Sequence, residues 1–192
     1  MSRLHLVRHG PTHAKTMVGW SDLPADLSDT RALSRLAKYL PADAVVISSD
    51  LLRAVQTADA IAGSRQRLPH DPDLREIHFG AWELRSWKEI DAESPDHIRQ
   101  FWENPGHVAP PNGESWNALR SRCDRAVDHL LNAHKGRDIV IVCHFGAILT
   151  QVQRAEGLSA SAAFGHKIDN LSVTDITVAA DGWTLGRLNH RP

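Results

Sequence analysis

The segment Asp138-Ile139-Val140-Ile141-Val142-Cys143 constrains this chain most, because one charged residue is followed by five apolar ones, four of them β-branched. A run so short, with no polar face, reads as a strand buried on both sides, and such strands occur in sheets that helices cover on both faces. Leu4-His5-Leu6-Val7 and Ala44-Val45-Val46-Ile47-Ser48 are further strand candidates. Helical spacing lies between these runs. Leu33, Leu36, Ala37 and Leu40 predict a helix over 28–40, with Ser28 as N-cap and Pro41 as stop. Ser49-Asp50 offers a cap for a helix that runs to about Ala62 and ends at Gly63. A long helix is expected from about Glu114 to Ala133, and another from Ala147 to about Ala155 after a turn at His144-Phe145-Gly146. Segments 172–178 and 183–188 read as a hairpin about Asp181-Gly182.

Strands that alternate with helices predict an α/β fold with a mostly parallel sheet covered on both faces. A length of 192 residues suits one domain, 1–192. From about residue 80 to 113 the alternation breaks, where Trp82, Trp87 and Trp102 fall among Pro95, Pro105, Pro110 and Pro111. This stretch reads as a helical excursion packed over one end of the sheet. Its tryptophans, with Trp116 beside it, either pack the excursion or stack on an aromatic or sugar-bearing ligand.

Charge excludes several functions. Twenty-two Lys and Arg balance 23 Asp and Glu, for a net charge of -1, so no global basic field points to nucleic acid. Any bound anion needs a local cluster of cations. No apolar segment approaches the roughly 20 residues that span a bilayer, the opening MSRLHLVRHG does not read as a signal peptide, and a cytoplasmic protein is expected. The 12 His and two Cys contain no HExxH or paired Cys/His spacing, so no metal site and no cofactor are expected.

Ligands of open α/β sheets sit at the carboxyl ends of the strands. Three such ends here carry one kind of residue. The first strand ends in Arg8-His9, the second leads through Ser48-Ser49 to Arg53, and the central one ends in His144. Brought together, Arg8 and Arg53 supply two guanidinium forks for phosphate oxygens, and the amides of the helix after Gly146 offer more donors. His9 and His144 supply imidazoles, and a neutral imidazole is a competent nucleophile.

The same residues lie in blocks that resemble a known family. LVRHGPT (6–12), SSDLLRAVQTA (48–58), LREIHFGAWE (74–83), PNGESW (111–116), VIVCHFG (140–146) and IDNLSVT (168–174) are similar, in order and over nearly the whole chain, to the histidine phosphatase superfamily, also called phosphoglycerate mutase-like. The resemblance implies a three-layer α/β/α sandwich whose insertion forms part of a substrate lid. It implies His9 as nucleophile, with Arg8, Arg53 and His144 completing a phosphate pocket, Thr12 adding a hydroxyl, and Glu76 donating the proton to the leaving group. The compact length is similar to the phosphatase branch that includes broad-specificity phosphatases and α-ribazole phosphatase. The implied activity is metal-independent hydrolysis of a small phosphorylated metabolite through a phosphohistidine, by a histidine acid-type phosphatase. Its partner would be a small-molecule phosphate ester, with no nucleic acid and no membrane. Mutase-type phosphoryl transfer and a noncatalytic phosphate-binding module are the alternatives. Three departures bear on the pocket's shape: Pro11 stands where Glu is frequent, His13-Ala14-Lys15 replaces a polar run ending in Asn, and Phe145 replaces a Gly.

Overall fold

The computed structural model describes all 192 residues. Six strands, β1 (Ser2–Arg8), β2 (Val45–Ser48), β3 (Gln66–Arg67), β4 (Asp138–Cys143), β5 (Val173–Ala179) and β6 (Gly182–Leu185), form one sheet in the order β3-β2-β4-β1-β5-β6. The β3–β2, β2–β4 and β4–β1 pairs are parallel, and β5 and β6 close one edge antiparallel. Seven helices accompany them: α1 (Thr30–Tyr39), α2 (Leu52–Ala62), α3 (Trp87–Glu93), α4 (Pro95–Glu103), α5 (Trp116–Ala133), α6 (Phe145–Glu156) and α7 (Ala160–Phe164).

The apolar run of β4 behaves as its lack of a polar face requires. Ile139, Ile141 and Cys143 point into a cluster with α5, α6 and the excursion, while Val140 and Val142 point into a second cluster with α1 and α2. In β1, Leu4 and Leu6 take the first face and Val7 the second. Each such fully buried aliphatic side chain stabilises the fold by about 1.5–3 kcal/mol. These two helix layers around the sheet make the expected α/β/α sandwich.

The caps differ from the sequence expectation for a physical reason. Asp29, not Ser28, caps α1, its carboxylate accepting from Ala32 N–H at 2.9 Å. Neither Ser49 nor Asp50 caps α2, because both side chains are engaged elsewhere: the Ser49 hydroxyl with His144 and the Asp50 carboxylate with the Arg75 fork. His144-Phe145-Gly146 is not a free turn. His144 is the cap residue of α6, which starts two residues earlier than expected. The second hairpin strand ends at Leu185, short of the expected 188, and the two-residue β3 and five-residue α7 lay below the sequence signal.

Strand register builds the functional end of the sheet. Arg8 pairs with Cys143 and Ser48 with Val142, so β1, β4 and β2 finish level. The residues that follow, His9, His144 and Ser49, therefore emerge side by side. His9 N–H continues the ladder by donating to the Cys143 carbonyl at 3.1 Å.

Candidate active site

The turn after β1 is held from three sides. Gly10 N–H donates to the Thr57 hydroxyl at 2.9 Å, and the Asn170 amide donates to the His9 carbonyl at 2.8 Å. A Cβ on Gly10 would lie 2.7 Å from the Leu27 side chain, so a larger residue would push the turn out of place. His9 is thereby buried at the bottom of a cavity of about 260 Å³, whose wall also includes Arg8, Thr12, Arg53, Glu76 and Phe145.

The tautomer of His9 follows from its contacts. Nδ1 lies 2.6 Å from the Gly10 carbonyl, which only accepts, so Nδ1 carries the hydrogen. Nε2 then holds the lone pair, and it accepts from Arg53 Nε–H at 3.2 Å. Burial, followed by the positive charges of Arg53 and Arg8, pulls the His9 pKa down to about 3 despite the Gly10 contact. The ring is a neutral base at any physiological pH.

Arg53 is itself pinned. Its terminal nitrogens donate to the Ser21 carbonyl at 2.9 Å and the Gly19 carbonyl at 2.6 Å, which leaves one N–H on each for a ligand. Arg8 donates one terminal nitrogen to the Ile168 carbonyl at 2.5 Å and lies 5.5 Å from the Phe145 ring. Its Nε is buried without a partner. A buried cationic donor with no acceptor is costly unless an anion completes it.

His144 packs beside His9. Its ring is 5.0 Å from that of His9 and wholly buried, with Nε2 2.7 Å from the Ser49 hydroxyl. Burial and then Arg53 hold its pKa well below the usual imidazole range. Nδ1 of His144 has no partner.

Glu76 lies in a stretch without helix or strand, so side chains must hold it. Arg122 does most of this. It donates to the carbonyls of Asp73 (2.9 Å), Arg75 (2.7 Å) and Glu76 (2.7 Å), and it is itself gripped by Glu114 at 2.7 and 2.8 Å. The Trp20 indole N–H donates to the Glu76 carbonyl as well, at 2.8 Å. The Glu76 carboxylate accepts from Gly146 N–H at 3.0 and 3.1 Å and from its neighbour Ile77 N–H at 2.9 Å. The Gly146 amide is thus taken up by Glu76, and a Cβ on Gly146 would collide with that carboxylate.

Glu83, the other carboxylate of this block, is held by different contacts. Burial raises its pKa, but donors from the Ser21 hydroxyl and the amides of Trp20, Gly19 and Phe79 outweigh that and hold it below the usual carboxylate range. Glu83 instead fixes the 19–21 loop whose carbonyls orient Arg53. Sequence reasoning missed this clip, and it missed Arg122, Ser49 and Asn170. The GES and IDN blocks were visible, but nothing in them shows that Glu114 and Asn170 work through Arg122 and the His9 carbonyl.

The chain as a whole matches known proteins. The model of the "Histidine phosphatase superfamily (branch 1)" matches residues 4–191. The chain belongs to this superfamily. Among solved structures, Bacillus stearothermophilus YhfR superposes with a TM-score of 0.90 at 29% identity, over 98% of this chain and 97% of the other. The Adenosylcobalamin/alpha-ribazole phosphatase of Escherichia coli (strain K12) is 29% identical over 98% of this chain and 96% of its own. The glucosyl-3-phosphoglycerate phosphatase of Mycolicibacterium vanbaalenii is 34% identical, over 81% and 75% respectively. Branch 1 is a different subclass from the histidine acid-type phosphatases, so that expectation is corrected. Membership in the superfamily stands.

Two buried neutral imidazoles link this branch 1 site to stability. The unfolded chain protonates both near pH 6.5, whereas folded His9 stays neutral to about 3 and His144 also resists protonation. Below pH 6.5 the unfolded state binds more protons, so stability is complete above that pH and falls as pH drops. Each ring contributes a slope of up to about 1.4 kcal/mol per pH unit. In urea titrations between pH 6.5 and 5, His9→Ala should remove about half of the wild-type decline that the two rings cause. Identical slopes would show that His9 is protonated in the folded protein.

Proposed function

We propose that this protein is a phosphomonoester hydrolase that transfers the phosphoryl group of a small metabolite to His9 Nε2 and then to water. One observation carries the proposal: the Nε2 lone pair of a ring held neutral opens onto a cavity lined by Arg8, Arg53 and Glu76. The activities named for the relatives, alpha-ribazole phosphatase and glucosyl-3-phosphoglycerate phosphatase, support the same class of reaction.

The residues divide the steps among them. A phosphoryl oxygen replaces His9 as the acceptor of Arg53 Nε–H, which frees the lone pair in line with the phosphorus. Arg8 and the two remaining N–H groups of Arg53 take the equatorial oxygens, where charge accumulates in the transition state. Thr12 adds a hydroxyl from the wall. The N–P bond forms as the P–O bond to the alcohol breaks, and Glu76 gives its proton to the departing oxygen. Water then attacks the phosphohistidine while Glu76 takes a proton back, and inorganic phosphate leaves with His9 neutral again. His144, hydrogen-bonded to Ser49 and 5.0 Å from His9, completes the phosphate pocket. The guanidinium pair supplies the positive charge, so the reaction is proposed to run without a metal. A cytoplasmic location belongs to the same proposal and suits two buried free thiols.

The direct test is hydrolysis of p-nitrophenyl phosphate in the presence of EDTA. Turnover is expected at an undiminished rate. Its absence would point to a binding module, and rescue by a divalent cation to metal-dependent chemistry.

Mutase-type transfer makes a separate demand. Phosphoglycerates carry a carboxylate besides the phosphate, but Arg8 and Arg53 are the only cations in the cavity wall. With 3-phosphoglycerate and a bisphosphoglycerate primer, isomerisation should be negligible beside hydrolysis. Rapid isomerisation would move the protein to mutase chemistry.

A further inference from the structure

Away from Arg8 and Arg53 the cavity changes character. Besides the two arginines and His9 its wall is mainly apolar, with Met17, Val18, Phe79, Trp102 and Phe145 alongside two threonines and Glu76 as its only anion. Four of the wall residues, Glu76, Phe79, Trp102 and Phe145, also border a second, apolar recess of about 40 Å³, which is continued by Trp116 and Phe164. The two spaces are neighbours across a shared aromatic rim. The rim is built firmly: Trp102 packs edge-on to Phe101 at 5.0 Å and to Phe164 at 5.7 Å, and Phe164 lies 4.6 Å from Trp116.

Two features bear on what this half of the cavity accepts. An anionic substituent placed against this wall would lose its water and find no cation besides the two arginines that the phosphate engages, which opposes binding. The Trp102 indole N–H is also buried with no acceptor in the protein. Buried indole donors normally find one, and an orphan costs the full desolvation of the group. An apolar ligand with one acceptor atom answers both features.

We infer, resting on the phosphatase reading above, that the substrate is the phosphate ester of an uncharged, largely apolar alcohol. Its body packs between Phe145 and Trp102, and one of its acceptor atoms receives the Trp102 indole hydrogen. Phosphates of hydroxy acids and amino acids are disfavoured. Phe145, the bulky departure beside His144, is the specificity-determining residue, because it both flanks Arg8 and forms the rim of the recess.

The test compares 2-phenylethyl phosphate with O-phosphoserine and 3-phosphoglycerate. All three are esters of primary alcohols, so none leaves as an activated phenolate. For wild type, kcat/KM should favour the phenylethyl ester by about 10- to 100-fold, the range for burying a ring. Phe145→Ala should shrink that preference through a raised KM. Among ring-methoxy isomers of the ester, at least one should gain about 3- to 10-fold, and Trp102→Phe, which keeps an aromatic ring but not the N–H, should abolish that gain. Equal or better turnover of the carboxylate-bearing esters would overturn the inference. So would the lack of any methoxy gain sensitive to Trp102→Phe. If p-nitrophenyl phosphate is cleaved in EDTA while these preferences fail, the phosphatase reading stands and only the substrate class falls.

Discussion

His9→Ala should abolish turnover, with a loss of at least about 10⁴-fold in kcat, because no other group in the cavity can accept the phosphoryl group. The cavity wall offers Thr12 and Thr16 as hydroxyls, but neither has a base beside it; the only side-chain lone pair held toward Arg53 is His9 Nε2. The fold should survive. The turn is held through the backbone of His9 and Gly10 by Asn170, Thr57 and the Cys143 carbonyl, none of which needs the imidazole. Circular dichroism and thermal melting should therefore show a folded variant. Wild type mixed briefly with substrate and quenched in alkali should carry acid-labile phosphate on His9, and the variant none. Full activity in His9→Ala would end the mechanism proposed here.

Glu76→Gln should lose about 10²–10⁴-fold on alkyl phosphates, the usual range for general acid catalysis, and much less on an aryl phosphate whose leaving group needs no proton. The side chain makes no hydrogen bond to either pocket arginine. Its contacts are the amides of Gly146 and Ile77, so it is aimed by the backbone rather than neutralised by a guanidinium. Glutamine keeps the shape, and its carbonyl oxygen still accepts from Gly146. Arg122 holds the main chain of the same segment, so the variant should remain folded. Equal losses on alkyl and aryl substrates would assign Glu76 a structural role. Glu83 would not then inherit the acid role, since its carboxylate is fully engaged as an acceptor by the 19–21 loop and Phe79.

Much of this arrangement is legible in the residues themselves. The β-branched run of β4 and the apolar runs of β1 and β2 are strong because burial on both faces leaves few polar positions, and the charged residues at their ends stand out for that reason. Sites built by local sequence, such as Arg8-His9 or His144 at the start of α6, follow directly. What escapes is whatever depends on distant partners. Ser49 reads as a cap until His144 takes its hydroxyl, and nothing near Gly146 shows that its amide holds the carboxylate of Glu76, 70 residues away. Arg122 looks like any helical arginine, since its five contacts go to Glu114 and to three carbonyls of an irregular segment. β3, two polar residues long, has no pattern to detect.

The register that brings β1, β2 and β4 level has a consequence for how such a protein changes over time. The groups that handle phosphate stand on the sheet or beside its ends, where a one-residue slip would send every core side chain to the opposite face and break both clusters at once. The wall that meets the alcohol is drawn largely from connecting segments and the excursion, where substitution is tolerated far more readily. The two halves are therefore free to diverge at different speeds. Selection can exchange Met17, Val18 or Trp102 and obtain a new substrate while the phosphoryl chemistry is inherited intact.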